Sequence, residues 1–210
     1  HNGRRRQRQM CIRDRGSGVA AASYGLPDLG VTTLENVLID AKRITSATSL
    51  PLLVDIDTGW GDFDAISNTI IEMGNANVAA VHIEDQIFDK RCGHRPNKQL
   101  VSIDEMQDRL KAALDAKIDD SFFIMARTDA LASEGIEKAI ERCGKYLDVG
   151  ADGIFFEAAV SIEEYKEFKN NFSAPLLANI TEFGKTPLFT QKELSDVGVD
   201  MVLYPLTAFR

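Results

Sequence analysis

Two aspartates set two residues apart are the first sign of chemistry in this chain. Asp55 and Asp57 stand in LLVDIDTGWG (52–61), at the end of an apolar run. In an extended strand, residues two apart point to the same side of the pleat. Two buried carboxylates side by side repel unless a cation lies near them. An all-oxygen ligand set suits Mg²⁺, with Mn²⁺ as the alternative; Mg²⁺ usually takes one or two carboxylates and keeps waters. HIEDQ (82–86) supplies Glu84 and Asp85 at the end of the next apolar run. Both are expected to act on the ion through water, as an outer shell. Helix capping or loop hydrogen bonding is the competing use of any one of these acids. Four of them on adjacent strand ends favour the metal.

A second constellation is KRCGHRPNK (90–98), in a long loop. Cys92 is flanked there by Lys90, Arg91, His94 and Arg95. Cations beside a thiol stabilise its thiolate and make it a usable acid, base or nucleophile. Gly93 lets the backbone approach a ligand closely. Cys143, on a helical pattern, reads as a buried inert cysteine. No second Cys/His pair lies at zinc-ligand spacing.

Other strand ends carry groups that bind carboxylates. Arg127 in MART can hold one bidentately, and Arg210 in LYPLTAFR can do the same. Asn179 and Thr181 in ANITEFG add neutral hydrogen bonds, and Glu157 in FFEA adds a further charge. Each alone is as well explained by a salt bridge or a loop contact. Together they describe a pocket for a small polyanion and Mg²⁺.

The elements that must position these groups alternate between two periods. Amphipathic helical patterns cover 33–48, 62–74, 102–116, 133–149, 161–170 and 190–197. Short apolar runs at 50–56, 78–83, 122–126, 153–156, 175–180 and 199–204 read as strands buried on both faces, as parallel strands are. Ser102 with Glu105 reads as a capping box. Alternating strands and helices give right-handed βαβ units. An open doubly wound sheet and an incomplete (β/α)₈ TIM-type barrel both fit. Nearly every strand ends in polar residues, and only in a barrel do all these ends converge on one mouth. The α/β barrel is therefore the expected fold, as one domain over 16–210.

Composition bounds the partners. The chain has 210 residues, 44% of them hydrophobic and 27% charged, with a net charge of −8. That balance argues against nucleic acid as a partner. No apolar run is long enough to span a membrane. Three scattered cysteines are not a disulfide framework and fit a reducing cytoplasm. Residues 1–15 hold six arginines and one acid, which leaves 18 basic and 31 acidic residues, net −13, in the rest. They read either as a basic arm for nucleic acid or anionic lipid, or as a non-native, disordered segment foreign to the fold. The abrupt change of composition at Gly16 favours the second.

The motifs GLPDLG (25–30), LLVDIDTGWG, HIEDQ, KRCGH, MARTDA, ANITEFGKTPLF and LYPLTAFR, in this order and spacing, resemble the methylisocitrate lyase branch of the isocitrate lyase / phosphoenolpyruvate mutase superfamily. The resemblance covers about residues 16–210 and implies cleavage of 2-methylisocitrate to pyruvate and succinate, a step of bacterial propionate catabolism in the methylcitrate cycle. It implies Asp55 and Asp57 on Mg²⁺, with Glu84 and Asp85 through water, and Cys92 as the acid that protonates the succinate carbanion. It assigns substrate binding to Gly16, Ser17, Asp55, Cys92, Gly93, His94, Arg127, Glu157, Asn179, Ile180, Thr181 and Arg210, with Phe155, Leu203 and Pro205 as an apolar wall. A homotetramer is implied for the full-length protein, with final helices exchanged between subunits. Where the family has a Tyr-x-Ser-Gly strand end, this chain has Arg13 and Arg15. The chain also stops at Arg210, so it reads as a fragment lacking part of both ends, which puts its own activity in question. The alternatives are a superfamily enzyme acting on isocitrate, dimethylmalate or oxaloacetate, and a noncatalytic dicarboxylate-binding paralogue.

Overall fold

The computed structural model of the chain describes residues 12–14, 19–26, 30–93, 97–182 and 184–205, the first stretch by its backbone alone. Among the described residues seven strands form one sheet: β1 Ile12–Asp14, β2 Leu52–Asp55, β3 Ala80–Glu84, β4 Phe123–Thr128, β5 Gly153–Phe156, β6 Leu176–Asn179 and β7 Met201–Leu203. They lie in sequence order, β1-β2-β3-β4-β5-β6-β7, and every neighbouring pair is parallel. A doubly wound sheet reverses its order at a switch point. This sheet never reverses, so it winds in one sense as an incomplete TIM-type barrel does. β2 to β7 are the six strands expected from the apolar runs. β1 is a seventh, inside the basic stretch 1–15, and it pairs Ile12 with Leu52 and Asp14 with Val54.

A π-helical turn, Val19–Ser23, follows β1. The helices are α1 Leu34–Ala47, α2 Phe63–Asn75, α3 Ile103–Asp115, α4 Leu131–Glu134, α5 Ile136–Val149, α6 Ile162–Asn171 and α7 Gln191–Asp196. Their starts follow cap chemistry. Thr33, Ser161 and Thr190 make full capping boxes with Asn36, Glu164 and Glu193. Ser102 makes half of the expected box: its hydroxyl accepts the Glu105 N–H at 3.1 Å. The Glu105 carboxylate instead takes a hydrogen bond from Arg109, one turn along, at 2.7 Å. The single helix expected over 133–149 is split into α4 and α5 because Gly135 adopts φ +84°, outside the helical region. No described helix is long and apolar enough to cross a membrane.

The two faces of the sheet carry two separate cores. Val54, Ile56, Val81, Ile83, Ile124, Ala126, Ile154, Phe156, Leu176 and Ala178 point outward and pack with the helices. Leu53, Met125, Phe155 and Leu177 point inward, with Ala80, Phe123, Met201 and Leu203 against them. The alternation is the period of two of a strand. Fully burying one such side chain is worth about 1.5–3 kcal/mol. A slip of one residue would exchange the two faces, so the register is firmly held. It also decides which polar residues reach the mouth. Continuing the inward positions past each strand gives Asp55 and Asp57, His82 and Glu84, Arg127 and Asp129, Glu157, Asn179 and Thr181.

Candidate active site

Asp55, Asp57 and Glu84 each offer an oxygen, and these atoms lie within 4.8 Å of one another. All three residues are buried. The β2 end is shaped to present the pair. The Asp57 N–H donates to Asp55 Oδ1 at 3.1 Å, and the Asp57 carbonyl accepts from the Glu84 N–H at 2.9 Å. Asp57 sits at φ 49°, a left-handed conformation that aspartate tolerates better than most residues. Cations stand around the cluster. Lys90 Nζ is 2.5 Å from Asp57 Oδ1, and Arg127 Nη1 is 3.1 Å from Glu84 Oε2. His82 Nδ1 is 3.6 Å from Asp55 Oδ1.

Burial pushes the Glu84 carboxyl well above its usual range, against the opposing pull of Arg127 and Lys90. Glu84 Oε1 is buried and accepts no hydrogen bond among the described residues. Counted together, Asp55, Asp57, Glu84, Asp129 and Glu157 bring five buried carboxylates against the three buried cations Lys90, Lys98 and Arg127. Fully ionised, the described part of the site carries an excess of two negative charges. A divalent cation among the three clustered oxygens offsets that excess and favours the charged form of Glu84. The residues therefore fit a metal ion with oxygen ligands.

Arg127 joins the carboxylate cluster to the rest of the mouth. Its guanidinium donates to Asp129 through Nε at 3.0 Å and Nη2 at 3.4 Å. It also lies over the Phe155 ring, 5.2 Å from the centroid. Burial works against its charge, but Asp129, Glu84, Glu157 and Asp55 outweigh that and hold it firmly protonated. Asn179 Nδ2 donates to the Glu157 carboxylate at 3.3–3.4 Å. Gly93 packs into this group: a Cβ there would lie 2.6 Å from Arg127 Nη2 and from Glu157 Cγ. The half-buried Cys92 is its chain neighbour. Carboxylate cluster, arginine, Glu157–Asn179 pair and cysteine turn thus share one mouth, at the C-terminal ends of β2 to β6.

Other expected residues fall elsewhere or in supporting places. Asp85, expected on the ion through water, is one residue beyond Glu84 and points to the opposite face. Its Oδ1 accepts the Asp129 N–H at 2.9 Å, and its Oδ2 accepts the hydroxyls of Thr128 at 2.7 Å and Tyr146 at 2.9 Å. Ile180, expected beside the substrate, packs into the helix-side core, again by the period of two. Thr181 is buried, with its hydroxyl 3.4 Å from the Glu182 carbonyl. Leu203 lies on the barrel-interior cluster with Phe155, and Pro205 is buried just after β7. Gly16, Ser17, His94 and Arg210 lie outside the described residues.

Two contributors, Gln86 and Lys98, have no role in the sequence reading. His82 and Asp129, two of the polar strand-end residues, are buried on the inner face, where the alternation running through Glu84 and Arg127 puts them. Lys98 and Gln86 carry no such signal. Lys98 Nζ donates to the Gly93 carbonyl at 2.6 Å and to Asp129 Oδ1 at 2.7 Å. Gln86 holds Arg91 at both ends, accepting its N–H and donating to its carbonyl, each at 2.9 Å.

The family model of phosphoenolpyruvate phosphomutase matches residues 15–210. The chain is similar to 2-methylisocitrate lyase of Shewanella oneidensis, 62% identical over 195 residues that cover 93% of this chain and 67% of that protein. It spans about two thirds of the length of the curated relatives it matches. Among solved structures it is similar to 2,3-dimethylmalate lyase, a member of the PEP mutase/isocitrate lyase superfamily, with a TM-score of 0.91 and 34% identity over 95% of this chain and 67% of that one. It is also similar to phosphonopyruvate hydrolase in complex with oxalate and Mg²⁺, with a TM-score of 0.78 and 28% identity over 91% and 67% of the two chains.

Proposed function

The chain belongs to the phosphoenolpyruvate phosphomutase family, and from that premise we propose that it is the barrel of a Mg²⁺-dependent lyase that cleaves 2-methylisocitrate to pyruvate and succinate. One observation carries the reading: a buried three-carboxylate cluster shares its mouth with a protonated arginine and a cysteine turn. That arrangement suits a small polycarboxylate that needs a cation at one end and a proton at the other.

Asp55 and Asp57 would hold Mg²⁺, with Glu84 acting through water. Bound there, the ion supplies Lewis acidity to a hydroxyl and an adjacent carboxylate. Arg127 orients a substrate carboxylate, since its fork matches one and its charge is secure. Asn179 and Thr181 offer neutral hydrogen bonds, and Phe155, Leu203 and Pro205 give the apolar wall beside the methyl. As the substrate hydroxyl loses its proton to water, the carbon–carbon bond beside it breaks and the hydroxyl carbon becomes the keto carbon of pyruvate. The bonding electron pair passes to the carbon that becomes part of succinate. The Cys92 thiol delivers the proton that this carbon needs, general acid catalysis of a kind worth about 10²–10⁴-fold.

A panel of 2-methylisocitrate, isocitrate, 2,3-dimethylmalate and oxaloacetate, assayed with Mg²⁺, tests the reading. The highest kcat/KM should fall on 2-methylisocitrate, over isocitrate by roughly the 10–200-fold that one methyl can supply. A preference for another member of the panel would move the assignment within the superfamily. Mg²⁺ and succinate binding without turnover of any of the four, in the full-length protein as well, would replace the enzyme by a dicarboxylate-binding protein.

A further inference from the structure

The turn that carries Cys92 is held from both sides by buried side chains outside the metal cluster. On the N-terminal side is Gln86, 1% exposed, which runs its amide along Arg91 like a short piece of paired strand. Gln86 is itself fixed: its carbonyl accepts from Arg109 Nη1 at 2.9 Å, and it forms an antiparallel bridge with Leu100. On the C-terminal side is Lys98, whose side chain is 2% exposed. Burying an ammonium is costly unless it is paired. Lys98 spends its donors on the Gly93 carbonyl and on Asp129. Asp129 is held by Arg127, and Arg127 reaches Glu84 of the metal cluster.

We propose that Gln86 and Lys98 are positioning residues for the reaction, clamping the backbone on either side of Cys92 so that its thiol is fixed relative to the metal cluster. The proposal rests on the reading of Cys92 as the acid. Loops are ordinarily mobile, yet an acid that must reach one carbon has little tolerance for movement. A misplacement of about 1 Å can cost on the order of 100-fold in rate. A clamp on residue 91 and another on residue 93 leave residue 92 little freedom. The Lys98–Asp129–Arg127–Glu84 path gives the turn a continuous charged connection to the metal side.

The test uses Gln86→Leu, which removes both hydrogen bonds, Gln86→Glu, which keeps only the acceptor, and Lys98→Met. Three readouts are taken: hydrogen exchange of the Arg91 amide, the rate of iodoacetamide alkylation at Cys92, and kcat and KM on 2-methylisocitrate. In Gln86→Leu, exchange at Arg91 and alkylation at Cys92 should both quicken, while Cys143 is unaffected. Its kcat should fall about 10–100-fold with KM changed far less. Gln86→Glu should keep the Arg91 amide protected and retain part of the lost turnover. It also provides the measurement should the leucine variant fold poorly. Lys98→Met should quicken Cys92 alkylation without exposing the Arg91 amide. Unchanged exchange and alkylation in Gln86→Leu, or a parallel loss of stability with kcat intact, would overturn the clamp. A quickened Arg91 amide together with a Cys92→Ser variant that keeps turnover would uphold the clamp and remove the acid role instead.

Discussion

Gly93 and Arg127 stand so close that the glycine has no room for a side chain. A Cβ at 93 would lie 2.6 Å from Arg127 Nη2, and also 2.9 Å from Asp129 Oδ1. Every atom it meets belongs to a buried, hydrogen-bonded group, so none can yield cheaply. Gly93→Ala should therefore lift the cysteine turn off the arginine. We expect a loss of stability of about 1–3 kcal/mol, typical of overpacking, and a fall in kcat of about 100-fold. Thermal melting and steady-state kinetics on the same preparation check both. Wild-type kcat in Gly93→Ala would show that the turn stands away from the arginine during the reaction.

The carboxylate cluster should bind Mg²⁺, and Asp57 should be indispensable to it. Asp57→Ala removes one ligand but also places alanine at φ 49°, where a residue other than Gly, Asn or Asp is strained. Asp57→Asn keeps the conformation and removes only the charge. Both variants should lose Mg²⁺ affinity in calorimetry, beyond detection for alanine and by at least about tenfold for asparagine. Affinity unchanged in both would take the ion away from this cluster.

Asp85 should behave as an anchor rather than a ligand. It joins β3 to the end of β4 and to Tyr146 of α5, and Arg142 lies 3.8 Å from it. Removing one partner of such a buried charged network costs about 3–5 kcal/mol. Asp85→Ala should lower stability by about that much in denaturant unfolding, while Mg²⁺ affinity measured below the unfolding transition stays within a few-fold. A large loss of Mg²⁺ affinity at unchanged stability would restore Asp85 to the outer shell of the ion.

Alkylation should separate the two described cysteines. Burial pushes the Cys143 thiol well above its usual range, and the nearby Asp85 charge adds to the effect. The thiolate is the reactive form, so Cys143 should stay slow even as pH rises through 8 to 9. Cys92 is half-buried in a turn with Lys90 and Arg91 before it, and it should react first. Mass-spectrometric mapping after brief iodoacetamide treatment decides the order. Cys143 labelled ahead of Cys92 in the folded protein would sink the assignment.

Much of this was legible in the chain. Apolar runs of the right length, separated by amphipathic helices, foretell parallel strands, because a strand covered on both faces has no polar side to show. The acids and amides at the run ends foretell a mouth, because the C-terminal ends of barrel strands meet there. The period of two, followed strictly through Glu84 and Asn179, also separates Glu84 from Asp85 and Asn179 from Ile180. The motifs HIEDQ and ANITEFG each span residues that the pleat sends to opposite faces.

The sequence by itself determined the strand count from β2 onward, the inward and outward faces, and the set of groups that can hold a divalent ion and a carboxylate. Those follow from local rules of backbone geometry and burial. Only the tertiary structure decided which charges meet: Lys90 on Asp57, Lys98 between Gly93 and Asp129, Gln86 along Arg91. These contacts are made when a loop folds back across the ends of neighbouring strands. The distances between their partners are set by the packing of the whole barrel, and no spacing along the chain encodes them.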